Sequence, residues 1–161
     1  MSISTKRSLE HMAWANQEVY RAVQTLNDDA LGSYIVNPEW TAATILQHIA
    51  DGADWYVYCL TGAMWHENLT PKTAADVAVN AKALAEYDAI IIAEAERDDE
   101  LLSIQMEDGI FEHWRSTLIA QAIHHATEHR AQLIDALEFR GYHPINLDDI
   151  DLWAFEKIKQ Q

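Results

Sequence analysis

Three histidines fall within six positions in "IHHATEHRAQL", residues 123–133, a segment that otherwise reads as helix. His125 and His129 are four apart, so on a helix they project from one face with Cβ atoms ~6 Å from each other. Two imidazoles placed that way can grip a single divalent ion. Both lie on the stripe through Leu118, Ala122, Leu133 and Ala136, which has the spacing of a core-facing side. His124 lies about 100° round the helix from His125 and belongs at the edge of that face or in solvent. A matching oddity stands in "ILQHIADGADWYVYCL", where His48 shares a three-and-four stripe with Ile45, Gly52, Trp55 and Cys59. Gly52 removes a side chain one turn beyond His48 and leaves room for a bound ion or substrate. One histidine from this helix and the i, i+4 pair from the other make a three-nitrogen site if the two helices face each other.

The ordinary alternative is a core histidine. A lone imidazole on an apolar face usually has its nitrogens satisfied by backbone or carboxylate, and His48 by itself reads that way. The pair is harder to satisfy, because two buried rings present up to four nitrogens. The HxxxH spacing recurs in helices, and the zincin pattern is not met, since Ala126 rather than Glu follows His125. Three neutral imidazoles with a vacant position are the arrangement of a catalytic metal rather than a closed structural one. Such an ion lowers the pKa of bound water towards ~7 or converts a bound thiol to thiolate. Zn(II) and Ni(II) both suit imidazole.

The elements that must position these residues are helical. With five Gly and three Pro there are few breaks, and β-branched runs are scarce. The periodicity predicts a first helix over about Ser4 to Leu26. A second starts near Thr41 as N-cap and stops at Gly62; a third runs from about Thr73 to Glu96. The pattern lapses between 97 and 112, where Asp108-Gly109 in "LSIQMEDGIFEHW" signals a hairpin. A fourth helix spans about Arg115 to Arg140 and ends at Gly141. A short amphipathic helix, about Asp149 to Lys159 with Asp148 as N-cap, closes the chain. The expected fold is all-α, a single domain over residues 1–161: an up-and-down four-helix bundle with a short C-terminal helix.

Composition narrows the partners. The 161 residues carry 26 acids against 11 bases, a formal charge of −15, with no Lys/Arg cluster to override it. That field repels nucleic acid and anionic membrane surfaces, so neither is an expected partner. The apolar runs fall short of the ~20 residues that span a bilayer. One cysteine, Cys59, excludes an internal disulfide, and "MSISTKRSLEHMAWAN" has no apolar signal region. The expected location is the cytoplasm.

Four segments together resemble the DinB/YfiT-like family of metal-binding four-helix bundles. "LEHMAWANQEVYRAVQTL", with its Trp-Ala-Asn element at Trp14, Ala15 and Asn16, is similar to that family's opening helix. "WTAATILQHIADGADWYVYCLTG" is similar to its second helix, with a metal histidine followed by an aromatic. "HHATEHRAQLIDALEFRGYHP" resembles its HxxxHRxQ signature, and "LDDIDLWAF" its closing segment. Many members have Gly where this chain has Ala131. Carried over residue by residue, the resemblance implies His48, His125 and His129 as ligands of a divalent metal, Zn or Ni. It also implies a low-molecular-weight thiol as co-substrate, a small-molecule substrate and a homodimer. Characterised relatives include thiol-using transferases and isomerases, and hydrolases, so the implied activity is a metal-dependent, thiol-using transferase or hydrolase. The alternative is a non-catalytic metal-binding stress-response bundle or a small-ligand-binding protein.

Around this centre the other residues have plainer expectations. Trp14, Trp55 and Asn16 either shape a pocket or are ordinary helix-face residues. Asp51 either orients a ligand or is a solvated acid, the commoner case. Glu128 and Arg130 point away from the ligand face and are expected at the surface. Cys59 is expected as a small buried apolar residue, His11 as a group able to approach the pocket. Trp153 serves either a dimer interface or the end of its own bundle. No role is assigned to His66, His113 or His143.

Overall fold

The computed structural model describes residues 4–160; the expected domain ends, residues 1–3 and 161, lie outside them. The four long helices are α1 (Thr5–Val23), α2 (Ala42–Thr61), α3 (Ala74–Glu94) and α4 (Arg115–Phe139), followed by the short α5 (Leu152–Lys159). Their ends are set by local chemistry. Thr41 caps α2 by accepting the N–H of Thr44, and Gly62 closes it at φ +75°, a left-handed turn that glycine adopts without strain. Thr73 and Asp76 form a reciprocal capping box at the start of α3. Gly141, at φ +85°, follows α4.

The helices pack around one core in the ring order α1, α3, α2, α4. Named contacts give their directions. Lys6 pairs with Glu96, Asn16 bonds Asp88 and Gln17 bonds the Ala81 carbonyl, so α1 and α3 are antiparallel. Trp40 reaches Gln132 while His48 meets His125, so α2 and α4 are antiparallel too. The segment 62–73 runs back along α2: His66 N–H bonds Asp54, Asn68 bonds Asp51, and Thr70 bonds Gln47. Helix α3 therefore starts at the same end as α2 and runs parallel to it. This order, up, down, down and up, differs from the plain alternation expected for short connections. The cause is the polar strap 62–73, long enough to return the chain to its starting end.

A two-stranded antiparallel hairpin, β1 (Leu101–Met106) and β2 (Gly109–Trp114), fills the lapse in helical pattern. Its two-residue loop is Glu107-Asp108, one position earlier than the Asp-Gly pair suggests. Gly109 opens β2 at φ +137°. Ile104 turns inward to the core, and the Tyr58 hydroxyl donates to the Gln105 carbonyl. The last helix departs from expectation. Asp148 and Asp149 sit in a separate 3-10 turn, Leu147–Ile150, which Asn146 caps, and the N-cap of α5 is Asp151. Asp149 is spent on the Asn146 N–H, so the helix begins only at the next acid able to cap it. Among the described residues no helix is long and apolar enough to cross a membrane.

Arg115, at the first position of α4, is buried at 1% exposure. Its guanidinium pairs with Glu94 at the end of α3 and with Glu100 before β1, and donates from Nε to the Asp98 carbonyl at 3.1 Å. This one side chain joins α3, the hairpin and α4. Removing it leaves the mostly buried Glu94 with only Arg97. Arg115→Ala is expected to lower the unfolding free energy by about 3 kcal/mol, read from urea denaturation, because one partner of a buried ion pair is left behind.

Candidate metal centre

His48 on α2 meets His125 and His129 on α4. Ring centroids are 4.8 Å apart for His48 and His125, and 4.4 Å for each of the other two pairs. One donor atom from each ring lies within 4.8 Å of the others, and all three residues are half-buried. The Nε2 atoms of His48 and His125 face each other at 3.1 Å. Two nitrogens bound at 2.0–2.1 Å to one tetrahedral ion would be about 3.3 Å apart, so this pair already sits at ligand spacing. Among the described residues no Cys, Asp or Glu joins the group as a fourth donor.

Gly52 makes the convergence possible. A Cβ built there would collide with the His125 ring, lying 2.9 Å from both Nδ1 and Nε2 and closer still to the carbon between them. The space expected beside His48 for a ligand is thus taken by His125 itself. Next, Gln132 orients His129: its Oε1 accepts from the Trp40 indole N–H at 3.1 Å and lies 3.0 Å from His129 Nδ1. An amide oxygen is acceptor only, so the proton belongs on Nδ1 and the Nε2 lone pair is left for a ligand. Trp40 also places its ring edgewise against His48 and His129, at 5.2 and 5.8 Å, while Tyr56 flanks His125 at 5.8 Å.

The electrostatics keep the His125 and His48 rings in ligand form. Burial, then the His129 and His48 rings, push the His125 pKa down to about 4. Burial is also the main cause of a lowered pKa at His48, with Asp51 opposing it. Neutral imidazole is the metal-binding state. The donor set, its spacing and its protonation all fit a divalent ion.

The neighbouring residues divide sharply. His124 and Glu128 are exposed, as expected, and Cys59 is buried. Arg130 is not at the surface: it is 3% exposed and donates to Asn16 Oδ1 at 2.6 Å and Thr127 Oγ1 at 3.1 Å. Asn16 in turn donates to Asp88 Oδ2 at 2.9 Å. Asn16 thus serves a buried polar network joining α1, α3 and α4. The surface expectation failed because Arg130 finds a partner, Asn16, on a helix remote in sequence. Asp51 is no free acid; its Oδ1 accepts both the backbone and side-chain N–H of Asn68 in the strap. Trp14 packs against His11 and Phe155, and His11 lies 2.8 Å from the Ile150 carbonyl, away from the triad. Trp55 packs on Tyr56. Gln132, Trp40 and Asp88 carried no expectation, although Gln132 stands in the HxxxHRxQ signature.

A helical bundle whose facing helices bring three imidazoles to one point defines a class of three-histidine bundle proteins. The chain belongs to the DinB family, whose model matches residues 1–159. No curated protein and no solved structure matches it.

The His125 shift has a consequence for stability. Its folded pKa is lowered from 6.5 to about 4, so below pH 6.5 the unfolded chain binds a proton that the native ring refuses. Stability from this group is present above 6.5 and lost as pH falls towards 4. Asp88, raised by burial to about 7, acts in the opposite sense, gaining stability as pH falls through 7. Comparison with His125→Asn isolates the first effect. Relative to that variant the wild type should lose about 2 kcal/mol between pH 6.5 and 4, discounted for the solvent-reached part of the ring. Urea unfolding of both proteins, stripped of metal by a chelator, measures it across that range; parallel pH curves would contradict the assignment.

Proposed function

We propose that this protein is a divalent-metal-dependent enzyme of the thiol-using transferase or hydrolase kind. His48, His125 and His129 would hold the ion, Zn or Ni. The single observation that carries the reading is the convergence of three imidazoles from α2 and α4, with no fourth protein donor among the described residues. Three-ligand sites leave a position for an exchangeable group, whereas structural sites use four. When bound, the metal would supply Lewis acidity, lowering the pKa of a coordinated thiol or water.

The chain's own residues supply the rest. Gln132 holds His129 in one tautomer and orientation, and Trp40 and Tyr56 wall the centre on two sides. The space against His125 on the core side is about 10 Å³, far too small for a substrate. A substrate would therefore meet the ion from the rim beside Trp40 and Gln132, where the side chains are partly exposed. Its expected class is a small electrophile, with a low-molecular-weight thiol as the second reactant. The acidic balance speaks against nucleic acid as a partner. The whole chain acts as one domain in the cytoplasm. The strongly exposed Trp153 and its neighbour Leu152 offer a surface for a homodimer.

Elemental analysis of protein purified without an affinity tag should return about one Zn or Ni per chain. His125→Ala should abolish both the metal and thiol-dependent turnover, scored on a panel of thiols and electrophiles. A metal that exchanges with no thiol and supports no turnover would favour the non-catalytic, metal-holding alternative. Gly52→Ala gives a sharper test. Alanine is the better helix former and only a side-chain ring opposes its methyl, so thermal stability should stay within about 1 kcal/mol of wild type. Metal affinity should nevertheless fall at least tenfold, because the His125 ring is displaced. Unchanged affinity in a folded Gly52→Ala would remove the centre.

A further inference from the structure

We propose that a single water molecule sits in the bundle core between Asp88 and His125, and that through it Asp88 fixes the tautomer of His125. Asp88 would then be a positioning residue of the metal centre, acting from the helix that contributes no ligand. This inference rests on the metal-centre reading above.

The space is specific. A cavity of about 10 Å³ lies beneath the histidines, with room for one water. Its polar lining is Asn16, Tyr56, Asp88 and His125; the remainder is apolar. Asp88 is 1% exposed, and its Oδ1 is one of two fully buried side-chain polar atoms without a partner among the described residues. A buried acceptor left unpaired costs about 1–3 kcal/mol, so an occupant is strongly favoured.

Elimination identifies what that occupant can bridge. Asn16 is engaged at both ends, giving to Asp88 and receiving from Arg130. The Tyr56 hydroxyl can give its hydrogen to the same water, which has two lone pairs to receive donors. That leaves Asp88 Oδ1, which accepts, and His125 Nδ1, which has no protein partner among the described residues. A metal-bound histidine gives its other ring N–H to a carboxylate, carbonyl or water. One water can accept from His125 Nδ1–H and donate to Asp88 Oδ1. It thereby completes both groups and turns the Nε2 lone pair of His125 towards the triad. In the metal-free protein His48 then donates its Nε2–H across the 3.1 Å gap to His125 Nε2.

The test is the tautomer itself, read by long-range ¹H–¹⁵N correlation of the histidine side chains in metal-free protein at pH 7.5. In wild type, His125 should be the Nδ1–H form and His48 the Nε2–H form. Asp88→Asn keeps the shape but can present an N–H donor to the water, reversing the polarity of the link. His125 should then shift towards the Nε2–H form, and zinc affinity, by competition with a chromophoric chelator, should fall about tenfold. An Nε2–H form of His125 in wild type overturns the proposal without recourse to any variant. So does an unchanged Nδ1–H form in a folded Asp88→Asn, since loss of packing alone would not preserve it. If wild type binds no zinc, the metal-centre reading fails separately, while the tautomer still decides whether Asp88 and His125 are linked.

Discussion

The packing of an imidazole against a bare stretch of backbone is the constraint on which this structure turns. His125 occupies the volume that any side chain at residue 52 would need. That absence lets α4 lie close enough to α2 for rings on both helices to face one another at nitrogen–nitrogen distance. Glycine within a helix normally costs about 1 kcal/mol relative to alanine. Here the cost is accepted at the turn where α4 brings an imidazole against α2. The spacing of His125 and His129, one turn apart, then brings the second ring of α4 into the same space.

Below that contact the core is polar in a controlled way. Arg130, one residue after a histidine of the triad, reaches inward to Asn16, and Asn16 reaches Asp88, so three helices are tied by side chains that are almost wholly buried. Burial lowers the Arg130 pKa to about 10 and raises that of Asp88 to about 7, the costs expected when charges leave water. Above the core, Gln132 and Trp40 perform the complementary task at the half-exposed rim. The histidines thus stand between a buried polar network and an aromatic edge, and α4 contributes to both.

Much of this was legible in the residues, and the failures share a cause. Helix ends at Thr41, Gly62, Thr73 and Gly141 are written in neighbouring positions, so local reading found them. The triad was legible because i, i+4 spacing on an apolar stripe is also local. What escaped depends on partners far along the chain. Arg130 reads as a surface charge until Asn16, more than a hundred residues earlier, is placed beside it. Asp51 reads as a solvated acid until the strap returns Asn68 to it. Gly52 was rightly noticed but wrongly filled, since periodicity shows a gap and not its occupant. The helix directions escaped because the strap's contacts with α2 follow no apolar pattern.

The ring order of the helices has a kinetic corollary. In most small bundles consecutive helices form hairpins whose contacts are short in sequence, and such chains fold fast. Here α1 and α2 sit across a diagonal, as do α3 and α4, and the consecutive pair that does touch must first lay down a strap. The pairing of α2 with α4 spans a loop of some seventy-seven residues. Pairing over such sequence distances closes long loops and slows folding relative to a bundle of consecutive helical hairpins. During synthesis the nascent chain gains the last two imidazoles of the triad only as α4 leaves the ribosome.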